Sequence, residues 1–417
     1  MKTLHALIFG TGLCGLLSLV DHARAQNWVQ TGAPITNWSS LACSAVGTKI
    51  VAAVYGGPIY ISTNSGATWS LTGAPSDLSS SLWSAVASSA DGRTLVAGNY
   101  GVYDGLGQGA IYASTNAGAA WLGGQNSAGF WESVASSAPG DKLVAAASAR
   151  TDVGGPRALI STSTNSGATW TSNNVPGAYE PYWQSVASSA DGTRLVAAAS
   201  GLPIYTSADA GTTWIASSSP AEYWSSVASS ADGRRLVASS TYAAGIYIST
   251  NSGAAWGLTS APSNNWVSVA SSADGTKLAA AANGASIYTS PDSGATWIAT
   301  SAPVTNWAAI ASSADGARLF AANGGGVRGH ADFAGLIYTS QTIPTPTLTI
   351  APSGNELLLS WIVPSVNFVL QQSSDLTTTN WTDLTAPPKL NFTNLQYEIP
   401  VSGTNASRFY RLRASMN

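Results

Sequence analysis

The octapeptide STNSGATW, residues 62–69, recurs with small changes along a chain of 417 residues. Five further copies follow at intervals of 41 to 52 residues: STNAGAAW (114–121), STNSGATW (163–170), SADAGTTW (207–214), STNSGAAW (249–256) and SPDSGATW (290–297). Self-similarity with a period of this length indicates a propeller or a solenoid. The repeat therefore indicates the fold, and functional residues are expected among those that differ between repeats.

A second phrase separates the octapeptides and is clearest as YWQSVASSADGTRLVAAA (182–199). Its tryptophan occurs seven times, at Trp38, Trp83, Trp131, Trp183, Trp224, Trp266 and Trp307. One unit reads as a strand WxSVASS, an ADGT turn, a strand LVAAA, a variable loop, a strand IYTS, the octapeptide turn and a fourth strand from its last Trp. Four short strands joined by tight polar turns predict one blade of a β-propeller.

The last unit lacks a fourth strand of its own, because after IYTS (337–340) the chain supplies no octapeptide. Near the N-terminus, Trp28 precedes Trp38 by the interval that separates Trp297 from Trp307. We therefore predict an all-β fold with a seven-bladed β-propeller over residues 26–340. The N-terminal strand should pair with 337–340, close the ring and remove its free sheet edges.

Residues 1–25 have the pattern of a secretory signal peptide. Lys2 precedes an apolar run, and Ala23-Arg24-Ala25 forms a small-residue cleavage site. The run is too short for a membrane span, and no later run is long enough for one. We predict that the mature protein begins at Gln26 and is secreted to the periplasm, the cell surface or the extracellular medium.

The composition excludes several classes of partner. Loss of Lys2, Arg24 and Asp21 with the signal peptide leaves 15 basic and 19 acidic residues, a net charge of −4. This charge attracts neither nucleic acid nor an anionic membrane. Only Cys43 remains of the two cysteines, so an internal disulfide is impossible. We expect a monomer without a cofactor.

Residues 341–348 and 349–417 differ in composition from the repeats. The first segment, QTIPTPTL, is a Pro/Thr-rich linker. The second contains several short alternating segments with Trp361 and Trp381 and no cysteine pair, which predicts a small β-sandwich. Its phrases FVLQQSSDL (368–376) and RFYRLR (408–413) resemble immunoglobulin-like or fibronectin-III-like modules at the C-termini of secreted environmental bacterial proteins.

The octapeptide has the residue types of a self-capped hairpin turn. The side chain at its third position can accept hydrogen bonds from backbone amides of the turn, Gly66 and its equivalents supply a positive φ, and the final Trp buries a large ring. The third-position residues are Asn64, Asn116, Asn165, Asp209, Asn251 and Asp292. The ADG turns are typical of Asx turns. Identical groups spread around a ring do not converge, so we predict a structural role for both turns.

The pattern S/T-x-D/N-x-G-x-T-W resembles the Asp-box, or BNR, repeat of sialidases, sortilin-type receptors, some glycoside hydrolases and the photosystem II assembly factor family. The resemblance covers the predicted propeller. It implies a sialidase-like superfamily fold in which the boxes lie away from the active site. The assembly-factor and sortilin-like relatives use the propeller as a docking platform, which implies a binding or scaffolding role.

Irregular residues gather on one face of the predicted propeller. The loops between second and third strands share this loop face with the blade-to-blade crossings, and both repeated turns occupy the opposite turn face. The loops are expanded in blades two, three and seven (99–109, 148–158 and 323–335). Loops on a rigid scaffold commonly carry binding groups. The predicted ligand-binding residues are Tyr100, Tyr103, Asp104, Arg150, Asp152, Arg157, Glu180, Tyr182, Arg328 and His330.

The loop face is also predicted to hold Glu132 and Glu222 and to be acidic. Solvent exposure is an alternative explanation for this clustering of charged residues, because loops are generally exposed to water. Most inner-strand tryptophans are expected to pack between blades, and a minority could offer a ring to a sugar.

A catalytic role is the alternative to binding. Resemblance to a sialidase would require three arginines on the substrate carboxylate, but the loop face offers only Arg150, Arg157 and Arg328, without an Arg-Ile-Pro signature. Other glycosidases need paired carboxylates, and a polysaccharide lyase needs a base such as a histidine near a cation. The catalytic candidates are Asp104, Asp152, Glu180, His330 and Asp332. His330 and Asp332 do not suffice to define a metal site. We therefore predict a secreted, non-catalytic propeller that recognises an extracellular glycan or protein, with a glycan-degrading enzyme as the alternative.

Overall fold

The computed structural model describes residues 27–76, 82–102, 107–148, 159–178, 181–242, 245–324, 335–341, 348–353, 356–362, 368–374, 380–391, 395–402 and 408–414. The predicted signal peptide and most of the predicted linker lie outside these ranges. The described residues form antiparallel strands joined by turns, and none of them is helical. Accordingly, this part of the chain contains no helix that could span a membrane.

The first part of the chain forms a run of four-stranded antiparallel units. Its strands are β1 (Trp28–Gln30), β2 (Trp38–Cys43), β3 (Ile50–Val54), β4 (Ile59–Ser62), β5 (Ser70–Leu71), β6 (Trp83–Ser88), β7 (Leu95–Asn99), β8 (Gly101–Val102), β9 (Gly107–Ser114), β10 (Leu122–Ser136), β11 (Leu143–Ser148), β12 (Leu159–Ser163) and β13 (Thr171–Asn173). Strands β2–β5 form blade one, β6, β7, β9 and the start of β10 form blade two, and the end of β10 with β11–β13 forms blade three.

The next part repeats this order. Its strands are β14 (Trp183–Ser188), β15 (Leu195–Leu202), β16 (Tyr205–Ser207), β17 (Ile215–Ala216), β18 (Glu222–Ser229), β19 (Leu236–Ser240), β20 (Ile246–Ser249), β21 (Gly257–Leu258), β22 (Trp266–Ser271), β23 (Leu278–Ala285), β24 (Tyr288–Ser290), β25 (Ile298–Ala299), β26 (Thr305–Ser312), β27 (Arg318–Asn323) and β28 (Ile337–Gln341). Blades four, five and six are β14–β17, β18–β21 and β22–β25, and β26–β28 belong to blade seven.

The second strands are rich in apolar residues and largely buried because neighbouring blades cover both of their faces. In blade one, β3 reads IVAAV and is buried at all five residues. Its small alanines let neighbouring sheets approach closely, while the tryptophan that begins each inner strand fills the space between them. All seven of these tryptophans are at most 1% exposed. None of them offers a ring to a ligand, so the prediction that a minority could contact a sugar is wrong.

The N-terminal strand occupies the fourth position of blade seven. β1 pairs with β28, with Trp28 opposite Ser340 and Gln30 opposite Tyr338. Near the inner end of the ADG-type turns, seven backbone N–H groups donate in sequence from each blade to a carbonyl of the next, over 2.7–2.9 Å, and the last returns to the first. The residues of this alanine ring are Ala45, Ala90, Ala138, Ala190, Ala231, Ala273 and Ala314.

One strand departs from the expected order. We predicted separate strands at the end of blade two and the start of blade three, but β10 runs through both as 15 continuous residues. Its register shifts between Leu122 and Gln125 and again between Gln125 and Gly129. Gly109 and Gly129 lie opposite each other there, and the absence of side chains permits the close approach.

The C-terminal segment forms two antiparallel sheets. Its strands are β29 (Thr349–Ser353), β30 (Glu356–Ile362), β31 (Phe368–Ser373), β32 (Thr382–Asp383), β33 (Lys389–Asn391), β34 (Gln396–Ser402) and β35 (Phe409–Ala414). One sheet has the order β29-β30-β34-β33 and the other β32-β31-β35. Both contribute to one buried cluster, which contains Leu359, Trp361 and Ile399 from the first and Leu370 and Tyr410 from the second.

Candidate functional site

The octapeptide turns hold themselves together through side-chain hydrogen bonds. In blade three, the backbone N–H of Gly167 donates to Ser163 Oγ over 2.9 Å, and this hydroxyl donates to Asn165 Oδ1 over 3.0 Å. Asn165 Oδ1 also accepts from the N–H of Thr169 over 2.9 Å, while Asn165 Nδ2 donates to Thr169 Oγ1 over 2.8 Å. The turn therefore satisfies its own polar groups and leaves little for a ligand.

The predicted third-position acceptors all make the equivalent bond. Each accepts from the backbone N–H four residues later over 2.8–2.9 Å; they are Asn64, Asn116, Asn165, Asp209, Asn251 and Asp292. The sequence did not reveal that the residue before the glycine is left-handed too, with φ between 55° and 60° at Ser65, Ala117, Ser166, Ala210, Ser252 and Ser293. A left-handed backbone is strained for any residue except glycine. The residues at these positions are small, since a larger side chain would make no contact that compensates for this strain.

Two of these turns use a carboxylate. Hydrogen bonds from the Thr213 side chain and backbone lower the pKa of Asp209. Burial acts to raise the pKa of Asp292, but hydrogen bonds from Thr296 and Ser290 outweigh it and the net shift is downward. Both shifts reflect the same self-capping geometry.

Basic side chains on the turn face join four blades to the blade that follows. Lys49 Nζ donates to the carbonyl of Asp91 over 2.7 Å, and Lys142, Arg194 and Lys277 reach the equivalent carbonyl of the following blade over 2.7–2.8 Å. Every described Lys or Arg of the propeller lies in or beside these turns. The described positive charge of the propeller therefore lies on the turn face.

The C-terminal segment packs on the alanine ring at the turn face. Six buried alanines of the alanine ring form one apolar cluster, and Ile362, Leu390, Leu395 and Tyr397 pack against it. These four residues lie at one end of the sheet that contains β30, β33 and β34. The turn face is thus occupied both by blade-to-blade contacts and by the protein's own C-terminal segment.

Most of the predicted ligand site lies outside the described residues. This holds for Tyr103, Asp104, Arg150, Asp152, Arg157, Glu180, Arg328, His330 and Asp332. Of the described pair, Tyr100 packs on Phe130 with ring centroids 5.2 Å apart, and Tyr182 is 50% exposed at the start of blade four. Tyr100 is thus partly used in packing, whereas Tyr182 presents its ring to solvent.

Two further exposed tyrosines lie on the loop face beside blade four. Tyr223, just before Trp224, is 56% exposed, and Tyr242, in the loop after β19, is 79% exposed. Their rings contact edge to face at 5.5 Å. Neither tyrosine was predicted, because both lie outside the expanded and charged loops, but variation at the residue before each inner tryptophan was a signal that could have identified Tyr223.

Glu132, predicted on or beside the loop face, lies at the bulge that follows Trp131 and is only 6% exposed. It is therefore buried and not displayed to solvent at that end of its strand. Glu222 is half-buried and accepts a hydrogen bond from the Tyr247 hydroxyl; burial raises the pKa of Tyr247, and the charge of Glu222 adds to the effect.

The described residues bring together no three side chains of the kinds that bind metals. Cys43 is the free thiol among them, and desolvation raises its pKa to about 12, with a further contribution from Asp315 that Arg318 opposes. The thiol is therefore protonated at neutral pH and is a poor nucleophile.

Comparison with known proteins shows the fold. No protein-family model and no curated protein sequence matches the chain. Among solved structures it is similar to YCF48 from Cyanidioschyzon merolae, with 16% identity over 76% of this chain and 99% of that one and a TM-score of 0.54. It is also similar to the β-propeller domain of Cps50 (Swd1) from Myceliophteria thermophila (12% identity, 76% and 100% coverage, TM-score 0.55) and to YCF48 bound to D1 peptide (16%, 79% and 98%, 0.52). The chain therefore has the β-propeller fold.

Proposed function

We propose that the protein is a secreted binding or scaffolding propeller that recognises an extracellular glycan or protein through its loop face and catalyses no reaction. In this proposal seven Asp-box blades form one ring closed by the N-terminal strand, and residues 349–417 form an immunoglobulin-like or fibronectin-III-like β-sandwich. The pairing of β1 with β28 and the hydrogen bonds of the alanine ring support the closure. The two C-terminal sheets around one core support the sandwich.

The main support for a binding site on the loop face is that the side chains of the turn face are engaged in contacts within the protein, whereas aromatic side chains of the loop face are exposed. On the turn face, self-capped octapeptides, basic side chains and the C-terminal segment use the polar and apolar groups internally. On the loop face, Tyr182, Tyr223 and Tyr242 are exposed to solvent. Exposed aromatic residues on a rigid scaffold are typical of recognition surfaces.

A protein of the same fold supports docking over catalysis. YCF48 has been solved with a bound D1 peptide, so a propeller of this architecture can present a surface to a polypeptide. Fold alone does not determine function, so the ligand of this chain depends on its own surface residues.

The test uses the full-length protein expressed with its own N-terminus and purified after export. We expect N-terminal sequencing to begin at Gln26, a glycan array or a partner titration to give saturable binding, and hydrolase and lyase screens to give no products. Turnover of any glycan, abolished by Asp104→Asn or Glu180→Gln, would overturn the non-catalytic proposal and favour the enzyme. An Asp91→Asn variant on the turn face is the matched control for that loss.

A further inference from the structure

We infer that the loop face carries a binding site for a neutral glycan across blades four and five, formed by Tyr182, Tyr223 and Tyr242. The inference rests on the proposed function and deepens it, because it names the site and the chemical class of the ligand. Of the three residues, only Tyr182 belongs to the set predicted from the sequence.

Hydrogen bonds to strand β15 and pairing with it place the backbones of two of the tyrosines at equivalent positions. Tyr182 and Tyr223 occupy the position before the inner tryptophan in neighbouring blades. The N–H of Ser200 donates to the carbonyl of Tyr182 over 2.9 Å, and Ser200 lies opposite Tyr223 in the ladder between β15 and β18. Two strand spacings, roughly 10 Å, therefore separate the two backbone positions. This arrangement repeats one aromatic group along the face, as successive units of an oligomeric ligand require.

Packing within the blades does not explain these rings. The six tyrosines of the third strands each pack edge-on against an inner tryptophan at 5.1–5.7 Å; they are Tyr60, Tyr112, Tyr205, Tyr247, Tyr288 and Tyr338. Tyr182, Tyr223 and Tyr242 instead keep half or more of their surface exposed. A ring that stabilises the fold is buried, so their exposure favours contact with a ligand.

The backbone at Tyr242 gives a second, independent indication. Tyr242 has a φ of 59°, a left-handed conformation that is unfavourable for a bulky residue. Thr241 fixes the chain before it, because its N–H and Oγ1 both donate to the carbonyl of Tyr223 over 2.9 and 3.0 Å. Strain of this kind clusters at ligand-binding sites. Here it places the Tyr242 ring at 86° to that of Tyr223, so the two form a corner.

This corner suits the chemistry of a sugar. The face of an aromatic ring is negative and its edge is positive, so the C–H groups of a pyranose are attracted to the face. Tyrosine hydroxyls both donate and accept hydrogen bonds, as sugar hydroxyls do. A sugar unit stacked on one ring of the corner would meet the other ring at its side.

Charge favours a neutral glycan over an acidic one. The described basic residues of the propeller lie on the turn face, and several of their side chains, such as those of Lys49 and Lys142, bind the neighbouring blade there. The nearest described carboxylate, Glu222, accepts a hydrogen bond from Tyr247. An anionic sugar would therefore bring its charge to a surface where the described residues supply no cation.

The exposed area favours a small ligand over a folded protein. Half to four-fifths of three tyrosine rings amounts to about 300–400 Å² of contact surface. A standard protein–protein interface needs about 800 Å² on each partner. A few sugar units match the smaller area.

The experiment compares the full-length exported protein with Tyr223→Ala, Tyr242→Gly and the control Ile215→Ala, which removes an equally exposed side chain on the outer strand of blade four. The probes are cellohexaose, xylohexaose, mannohexaose and chitohexaose, with hexagalacturonate and sialyllactose as acidic counterparts, titrated calorimetrically. We expect at least one neutral probe to bind, and Tyr223→Ala to weaken that binding by about tenfold or more, as truncation of an interface aromatic does. Tyr242→Gly should weaken it too while leaving Tm at or above the wild-type value, because glycine adopts a positive φ without strain. Ile215→Ala should change neither quantity.

Four results would overturn all or part of the inference. If a neutral probe binds and both tyrosine variants bind it equally well, the proposed function stands and this site is wrong. If the acidic probes alone bind, the ligand class is wrong. If none of the six probes binds, the glycan site is rejected, and a protein partner on the loop face is the form of the proposed function that is left. A Tm of Tyr242→Gly well below the wild-type value would show that Tyr242 serves the fold.

Discussion

On the turn face each blade offers nearly the same residues to its neighbour, whereas on the loop face one position of the repeat changes from blade to blade. Lys49, Lys142, Arg194 and Lys277 all donate to the same carbonyl of the following blade. The residue before the inner tryptophan is instead Asn37, Leu82, Phe130, Tyr182, Tyr223, Asn265 or Asn306. Repeated residues maintain the contacts between blades, and variation is found where those contacts do not depend on the side chain.

The two faces also use the left-handed conformation differently. On the turn face it recurs at six small residues within a fixed hydrogen-bonded turn. On the loop face it occurs at Tyr242, a large and exposed residue. The hydrogen bonds of the turn explain the left-handed residues on the turn face. The fold offers no comparable explanation for the left-handed conformation of Tyr242, which we attribute to ligand binding.

A matched pair of glycines should separate the faces most strongly. At Gly167 on the turn face, φ is 85° and an added Cβ would lie 2.5 Å from Ala113 Cβ, which cannot rotate away. At Gly284 on the loop face, φ is 70° and nothing lies within 4 Å. We expect Gly167→Ala to lower the free energy of unfolding by about 3 kcal/mol, from overpacking added to strain, and Gly284→Ala by about 1 kcal/mol, from strain alone. Denaturant unfolding measures both, and equal losses would contradict the assignment of tight packing to the turn face.

The serine that begins the octapeptide should have the next largest effect. Ser163 Oγ is the acceptor for the buried N–H of Gly167. Ser163→Ala leaves that N–H without its acceptor, so we expect a loss of about 2 kcal/mol in the free energy of unfolding. The control is Ser263→Ala, at an exposed serine in the crossing between blades five and six, which should change stability by less than about 0.5 kcal/mol. A loss at Ser163 no greater than at Ser263 would mean that the hydroxyl does not organise the turn.

Local chemistry explains which parts of the fold were predictable. The hydrogen bond from Thr169 to Asn165 joins two residues of one octapeptide, four positions apart. The pairing of β1 with β28 was predictable from the interval between two tryptophans. Contacts between residues far apart in the chain were not predictable. The bond from Lys49 to Asp91 and the packing of Tyr397 on the alanine ring depend on how blades and segments meet in space.

The candidate site shows the same limit. Charge and loop length predicted a ligand site in residues 148–158 and 323–335, most of which lie outside the described ranges. Tyr223 and Tyr242 lie 19 positions apart in a stretch without an expanded loop. Their ring contact and exposure arise from the backbone between them, so composition did not reveal them.

Relieving strain on the turn face should produce a small gain. Ser166 has a φ of 55°, and Ser166→Gly removes a side chain from a left-handed position at some cost in chain entropy. We expect a net rise of about 0.5 kcal/mol in the free energy of unfolding. Thr164→Gly, in the same turn at an exposed residue outside the positive-φ set, is the control and should lose about 0.5–1 kcal/mol. A loss at Ser166 would show that its side chain stabilises the turn in a way the backbone conformation does not reveal.

The smallest effect should be a pH dependence confined to two blades. The pKa values of Asp209 and Asp292 are lowered in the folded protein, so each carboxylate stabilises the fold above its unfolded pKa of about 4 and loses that contribution as the pH falls through its folded pKa. Asparagine serves the same position in four other blades, so Asp209→Asn with Asp292→Asn should keep the turns and remove only the titration. We expect the difference in Tm between wild type and double variant to stay constant above about pH 5, and the wild type to lose stability relative to the variant below about pH 4. Parallel Tm profiles down to about pH 3 would contradict the lowered pKa values. Because both side chains are well exposed, the shift should be small, consistent with a turn face held by geometry and backbone hydrogen bonds more than by charge.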